Sequence, residues 1–122
     1  MSELVIREIA RIVETELGYP PGSITRDGRR REFVRARLIA FALISEAFPG
    51  ASDAHAAAAL GRHRSLMFRY RESIDRDHPS GWPEWMRCKV RVDAYLRHYA
   101  LASAATEWLR PTSGVNAELT KM

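Results

Sequence analysis

Wherever this chain is rich in apolar residues they recur at three- and four-residue spacing, and nowhere do they alternate. That periodicity belongs to helices that bury one face, whereas half-buried strands need strict alternation. Val5, Ile6, Ile9, Ile12, Val13 and Leu17 share one such face, Ser2 stands where a cap belongs, and Gly18 with Pro20-Pro21-Gly22 ends the run. A second, longer stretch starts near residues 29–31 and ends near Phe48. Its broad apolar face, Phe33, Val34, Leu38, Phe41, Ala42 and Ile44, suits a central helix, and Pro49-Gly50 terminates it. Ser52 or Asp53 caps the short alanine-rich segment DAHAAAAL, which Gly61 closes. A further helix is expected over residues 63–74, broken by Pro79 and Gly81. Pro83 suits the first turn of a last helix reaching residue 109, with Trp85, Cys88, Val92, Tyr95, Leu96, Tyr99, Ala102 and Thr106 as its stripe. The expected fold is therefore all-α.

The chain has 122 residues, the size of one domain with one modest core. Its 46% hydrophobic and 28% charged residues exclude wholesale disorder. No apolar run is long enough to span a membrane, and the charged opening MSELVIREIARIVE does not read as a secretory signal. A single cysteine, Cys88, cannot form an internal disulfide, which fits a reducing cytoplasm. Residues 1–80 are expected to form the main domain, residues 81–110 an added amphipathic helix, and residues 111–122 a flexible polar tail.

The net charge is +4, but its distribution says more than its total. Residues 1–24 are net acidic, whereas residues 25–80 carry eleven arginines against seven acids. Arg26, Arg29, Arg30, Arg31, Arg35 and Arg37 fall close together, with only Asp27 and Glu32 among them. A block this dense creates a positive potential that attracts phosphate, although a solvated helix start without a partner has the same composition. All but Lys89 and Lys121 of the basic residues are arginine, the better ligand for phosphate and guanine.

Leu60-Gly61-Arg62 joins two helices through a tight connection containing glycine. A helix-turn-helix needs such a joint to project its second helix into a major groove. That second helix reads HRSLMFRYRESI. Leu66, Met67, Tyr70 and Ile74 share its core face, while His63, Arg64, Ser65, Phe68, Arg69 and Arg71 lie elsewhere on the cylinder. Its first turn offers polar side chains and free backbone N–H groups to base edges and phosphates.

With these landmarks in order, residues 4–76 resemble the C-terminal DNA-binding domain of the bacterial chromosomal replication initiator DnaA. RRREFVRARLIAFAL is similar to its basic loop and long helix, and ALGRHRSLMFRYRESI to its Gly-Arg-Asp-His-Thr-Thr-Val signature and the helix that follows. The resemblance implies a Trp-repressor-like helix-turn-helix domain that reads duplex DNA through two elements, with a long C-terminal helix added. It matches Arg31 to the minor-groove arginine and Arg35 and Arg37 to positions near the backbone. His63, Arg64, Ser65 and Leu66 stand where the family reads the major groove with Asp, His, Thr and Thr. An imidazole in place of a carboxylate cannot accept from a cytosine amino group in the same way, so the changed tip implies a changed base preference. No G-x-x-x-x-G-K-[ST] run is present, so the ATPase part of the initiator has no counterpart here.

The expected DNA contacts are Arg29, Arg30, Arg31, Arg35, Arg37, Arg62, His63, Arg64, Ser65 and Arg69. Neutralising about five to six phosphates would give a log–log salt slope near −5. The expected role is a cytoplasmic, nucleoid-associated regulator of transcription or modulator of replication initiation, from a bacterium, a phage or a mobile element. His55, His63, His78 and His98 are scattered and Cys88 is alone, so no metal or other cofactor is expected. No G-x-S-x-G or glycine-rich phosphate loop suggests an enzyme. Trp85, Tyr95, Tyr99 and Trp108 read either as core packing of the last helix or as anchors of an interface, for a homodimer or for a replication or regulatory protein. That second possibility makes a protein-interaction module the alternative function.

Overall fold

Five helices form in the order α1 (Glu3–Glu16), α2 (Arg31–Ala47), α3 (Asp53–Leu60), α4 (Met67–Arg76) and α5 (Trp85–Leu109), in a computed structural model that describes residues 3–26 and 30–109, and side chains as far as residue 102. Short 3-10 turns occupy Arg64–Leu66 and Pro79–Gly81. No strand occurs among the described residues, and the fold is all-α as expected. The clearest shift from the expected bounds is at α4, because its first residues close into a 3-10 turn before the regular helix starts at Met67.

The chain divides into two compact units, Met1–Val92 and a second beginning at Asp93. Within the first, α1 lies against α2 and α3, and α2 also meets α3 and α4. The central position of α2 follows from its sequence. Ala36, Ile39, Ala40, Phe41, Ala42, Leu43 and Ile44 are all buried, so nearly the whole circumference of its middle is covered. Val5, Ile6, Ile9 and Val13 from α1, Leu60 from α3 and Met67 from α4 complete the core. Each such side chain removed from water contributes about 1.5–3 kcal/mol before the entropy of ordering it is subtracted. The buried alanines Ala56, Ala57 and Ala59 give α3 a thin inner face.

The first turns of α5 belong to the same unit. Trp85, Cys88 and Val92 are buried, Lys89 pairs with Glu46, and Arg91 pairs with Glu16. Trp85 therefore corrects an expectation. At 4% exposure it is a core residue, set edge-to-face on His78 at 5.3 Å, and it cannot anchor a partner. Burial pushes the Cys88 thiol up to about 12, so this cysteine acts as a small packing group.

The second unit's described part is the continuation of α5. Tyr95 is half-buried and stacks on Tyr99 at 6.4 Å, while residues 97–102 are exposed on every side. The Trp108 side chain and the 111–122 tail lie outside the described residues.

Candidate nucleic-acid interface

Local chemistry at three positions fixes the relation of α3 to α4. The Ser52 hydroxyl accepts from the His55 N–H at 3.2 Å and caps α3. At the other end Gly61 takes the left-handed conformation, φ +65°, so that its own N–H reaches Ala58 O (3.3 Å) and the Arg62 N–H reaches Ala57 O (2.9 Å). A Cβ on Gly61 would sit 2.4 Å from Thr25 O and 2.8 Å from Thr25 Cα. Only glycine lets the 22–26 loop come this close to the turn. The third position is His63, whose Nδ1 accepts from the Ser65 N–H at 3.1 Å and lies 2.8 Å from Ser65 Oγ. An accepting Nδ1 places the proton of the neutral ring on Nε2, which points a donor away from the cap.

This cap alters one expectation. The amides of Ser65, Leu66 and Met67 bond to His63 Nδ1, His63 O and Arg64 O respectively. These three amides are satisfied within the turn, so the start of this helix presents fewer free N–H groups than its sequence suggests.

The 22–26 loop is held from inside by two buried charges. Glu14 accepts from the Gly22 N–H at 2.9 Å and the Ile24 N–H at 3.0 Å. Arg37 donates through Nε to Ile24 O at 2.7 Å and through Nη2 to Arg26 O at 3.1 Å. Arg37 was expected at the phosphate backbone. It is instead 2% exposed, because it falls on the inward face of α2 beside Ala36 and Ala40, and its guanidinium satisfies loop carbonyls that would otherwise be buried unpaired. Arg26 O also accepts from Arg62 Nη2 at 2.6 Å. The basic loop and the turn after α3 are thereby tied together across 36 residues of sequence.

Arg35 is the second correction. It forms a two-pronged pair with Glu84 (2.9 and 2.8 Å) and lies over the Trp82 ring at 4.2 Å. The bonds from Arg35 hold the Glu84 carboxyl below its ordinary range. A guanidinium engaged in this way fastens the start of α2 to the chain entering α5, and its charge is already matched by Glu84 rather than left for phosphate.

The remaining expected contacts sort cleanly. Arg30 and Arg31 are exposed at the start of α2, with Arg30 loosely paired to Glu32 at 3.9 Å and over Phe33 at 5.7 Å. His63, Arg64, Ser65 and Arg69 are exposed, and Arg62 is half-exposed. Neither Arg64 nor Arg69 has an ion pair among the described residues, whereas Arg71 pairs with Asp53. Arg29 lies outside the described residues. Three exposed residues on these segments were not among the expected contacts. Arg26 is exposed on the loop beside Arg62. Phe68 and Glu72 are exposed on α4 among the free arginines. The signal for both was their position off the Met67–Tyr70–Ile74 core face.

Among the described residues no group of three or more His, Cys, Asp or Glu could hold a metal, and no helix is long and apolar enough to cross a membrane. No family model matches this chain, and comparison with curated proteins and with solved structures likewise finds no match.

Proposed function

We propose that this protein binds double-stranded DNA, with α3 and α4 working as a helix-turn-helix pair. The observation that carries the reading is the tie between Arg62 and Arg26 O, with Gly61 packed on Thr25. It ties the loop that ends at Arg26 to the turn that leads into α4, and Arg26, Arg30, Arg31, Arg64 and Arg69 are exposed on these segments and at the start of α2. In this reading the start of α4 enters the major groove. Arg64 has the reach and fork geometry for guanine O6 and N7, and His63 offers its Nε2–H to a base acceptor. The arginines of the loop and of the start of α2 lie along the neighbouring backbone or minor groove, as the resemblance to the initiator domain would have it. The role is that of a regulator of transcription or of replication initiation, acting at the nucleoid.

With Arg64 on a base, the exposed Arg26, Arg30, Arg31 and Arg69 imply a log–log salt slope of about −3 to −4. Fluorescence anisotropy of a labelled random duplex at several salt concentrations tests this directly. Arg64→Ala and Arg31→Ala should each weaken binding, and each loss of a phosphate contact should flatten the slope by about 1. Absence of binding at low salt refutes the reading.

The exposed end of α5 favours a second reading, recruitment of a protein partner. Tyr99 and Leu101 are 41% and 69% exposed. Tyr99→Ala and Leu101→Ala would then abolish partner capture while leaving DNA binding intact.

A further inference from the structure

Phe68 is out of place on a surface that only binds phosphate. Its ring is 61% exposed, while the other large apolar residues of α4 have partners in the core. Met67 is fully buried, Tyr70 sits edge-to-face on Phe41 at 5.7 Å, and Ile74 is half-buried. Phe68 is thus not an overflow of the core stripe. It stands one turn after Arg64 and Ser65, beside Arg69 and one turn before Glu72, all exposed. An apolar ring among free cations makes no contribution to holding phosphate. Other large apolar residues, such as Leu4 and Met86, are as exposed, and Phe68 differs from them in standing beside Arg64 and Arg69, neither of them ion-paired among the described residues.

In the major groove of DNA the one apolar group on a base edge is the C5-methyl of thymine. We propose that Phe68 is a thymine-methyl subsite, so that the DNA this protein prefers carries a thymine close to the base contacted by Arg64. The inference rests on the DNA-binding reading and adds a chemical identity to part of its target. Four residues of helix rise about 6 Å, which sets the thymine about one to two base-pair steps from the Arg64 contact.

The test uses the full chain and a duplex pool enriched from random sequence by binding to it. The pool is amplified in parallel with dTTP or with dUTP, giving the same sequences with and without the C5-methyl. Wild-type protein should bind the thymine pool roughly three- to tenfold more tightly than the uracil pool. Phe68→Ala should bind both pools equally, at the wild-type level for uracil. Phe68→Leu, which keeps an apolar tip, should retain part of the preference. Arg64→Ala should weaken binding to both pools in proportion. Equal wild-type affinity for the two pools overturns the subsite and leaves DNA binding standing, as does a preference that survives in Phe68→Ala. A Phe68→Ala variant that changes oligomeric state rather than methyl preference also overturns it. No enrichment of any duplex removes the DNA-binding reading itself, and the subsite with it.

Discussion

Replacing Gly61 by alanine separates two costs that a glycine can hide. The first is conformational. At φ +65° an L side chain meets its own carbonyl, which costs about 1–2 kcal/mol, partly offset by the entropy an alanine removes from the unfolded chain. The second is contact. The new Cβ would lie 2.4 Å from Thr25 O and 2.8 Å from Thr25 Cα, and both are backbone atoms that cannot rotate away. The loop must retreat by roughly an ångström, which loosens the bonds from Arg62 and Arg37 to Arg26 O, each worth about 1 kcal/mol. Gly22 supplies the control, since it is also left-handed at φ +87° but has nothing within 4 Å of a Cβ. Gly22→Ala should cost about 1 kcal/mol and Gly61→Ala about 3–4 kcal/mol. For a chain of this size that difference appears as a Tm loss of about 4 °C against about 12–16 °C. Thermal and urea unfolding followed by circular dichroism read both numbers. Equal losses for the two variants would mean that the loop does not rest on the turn, and the joined basic surface would fall with it.

Arg37→Met leaves the buried Ile24 O without its side-chain donor and Arg26 O with Arg62 alone, and should destabilise the fold by about 2–3 kcal/mol in urea, while the salt slope of DNA binding stays at its wild-type value because no phosphate contact is lost. Glu84 has a lowered folded pKa, chiefly from the Arg35 hydrogen bond, so its contribution is complete above the ordinary carboxylate value of 4.5 and is lost as pH falls below it through the depressed value. Unfolding free energies of Glu84→Gln should accordingly be lower than wild type by about 1 kcal/mol at neutral pH and converge with it as pH falls through the depressed value. Trp85→Ala should cost about 3–5 kcal/mol in the same assay, whereas Tyr99→Ala should leave stability nearly unchanged.

The helices were legible because their signals are local. Apolar spacing, the Ser52 cap and the glycine and proline stops each act within a few residues, and α1, α2, α3 and α5 form close to where these signals put them. The surface was legible only in part, because it depends on which way a helix turns its arginines. Arg35 and Arg37 belong to the same basic run as Arg31, yet α2 turns one toward Glu84 and the other into the core. The partner that captures Arg35 lies 49 residues away, and no feature of the run announces it. Glu14 was equally hidden. Nothing in its local sequence distinguishes it, because its role depends on loop amides brought to it only by the tertiary fold. Trp85 is the reverse case, since its stripe position was correct and only the choice between core and interface was open. Phe68 could have been found earlier, because its angular position already excluded it from the core face.

Two buried charges around one loop argue that the position of that loop matters. Removing a carboxylate and a guanidinium from water is costly unless every lone pair and proton finds a partner, and an apolar pair of similar volume commonly serves stability as well or better. Here Glu14 takes loop amides while Arg37 takes loop carbonyls, so both charges act on the backbone of residues 22–26. Backbone groups are fixed in direction, so this arrangement specifies a single loop conformation where apolar packing would permit several. The loop so fixed is the one on which Gly61 rests and to which Arg62 bonds. If the protein binds DNA as proposed, a rigid joint between the basic loop and the start of α4 would lower the entropy lost when both engage one duplex, because their spacing is set before binding. The core charges and the surface arginines are then parts of one device. The inner pair fixes the distance, and the outer arginines act at the distance so fixed. It follows that loosening the loop from within should weaken DNA binding without removing a phosphate contact, a loss of affinity at unchanged salt slope, unlike the flattened slope that follows loss of a phosphate-binding arginine.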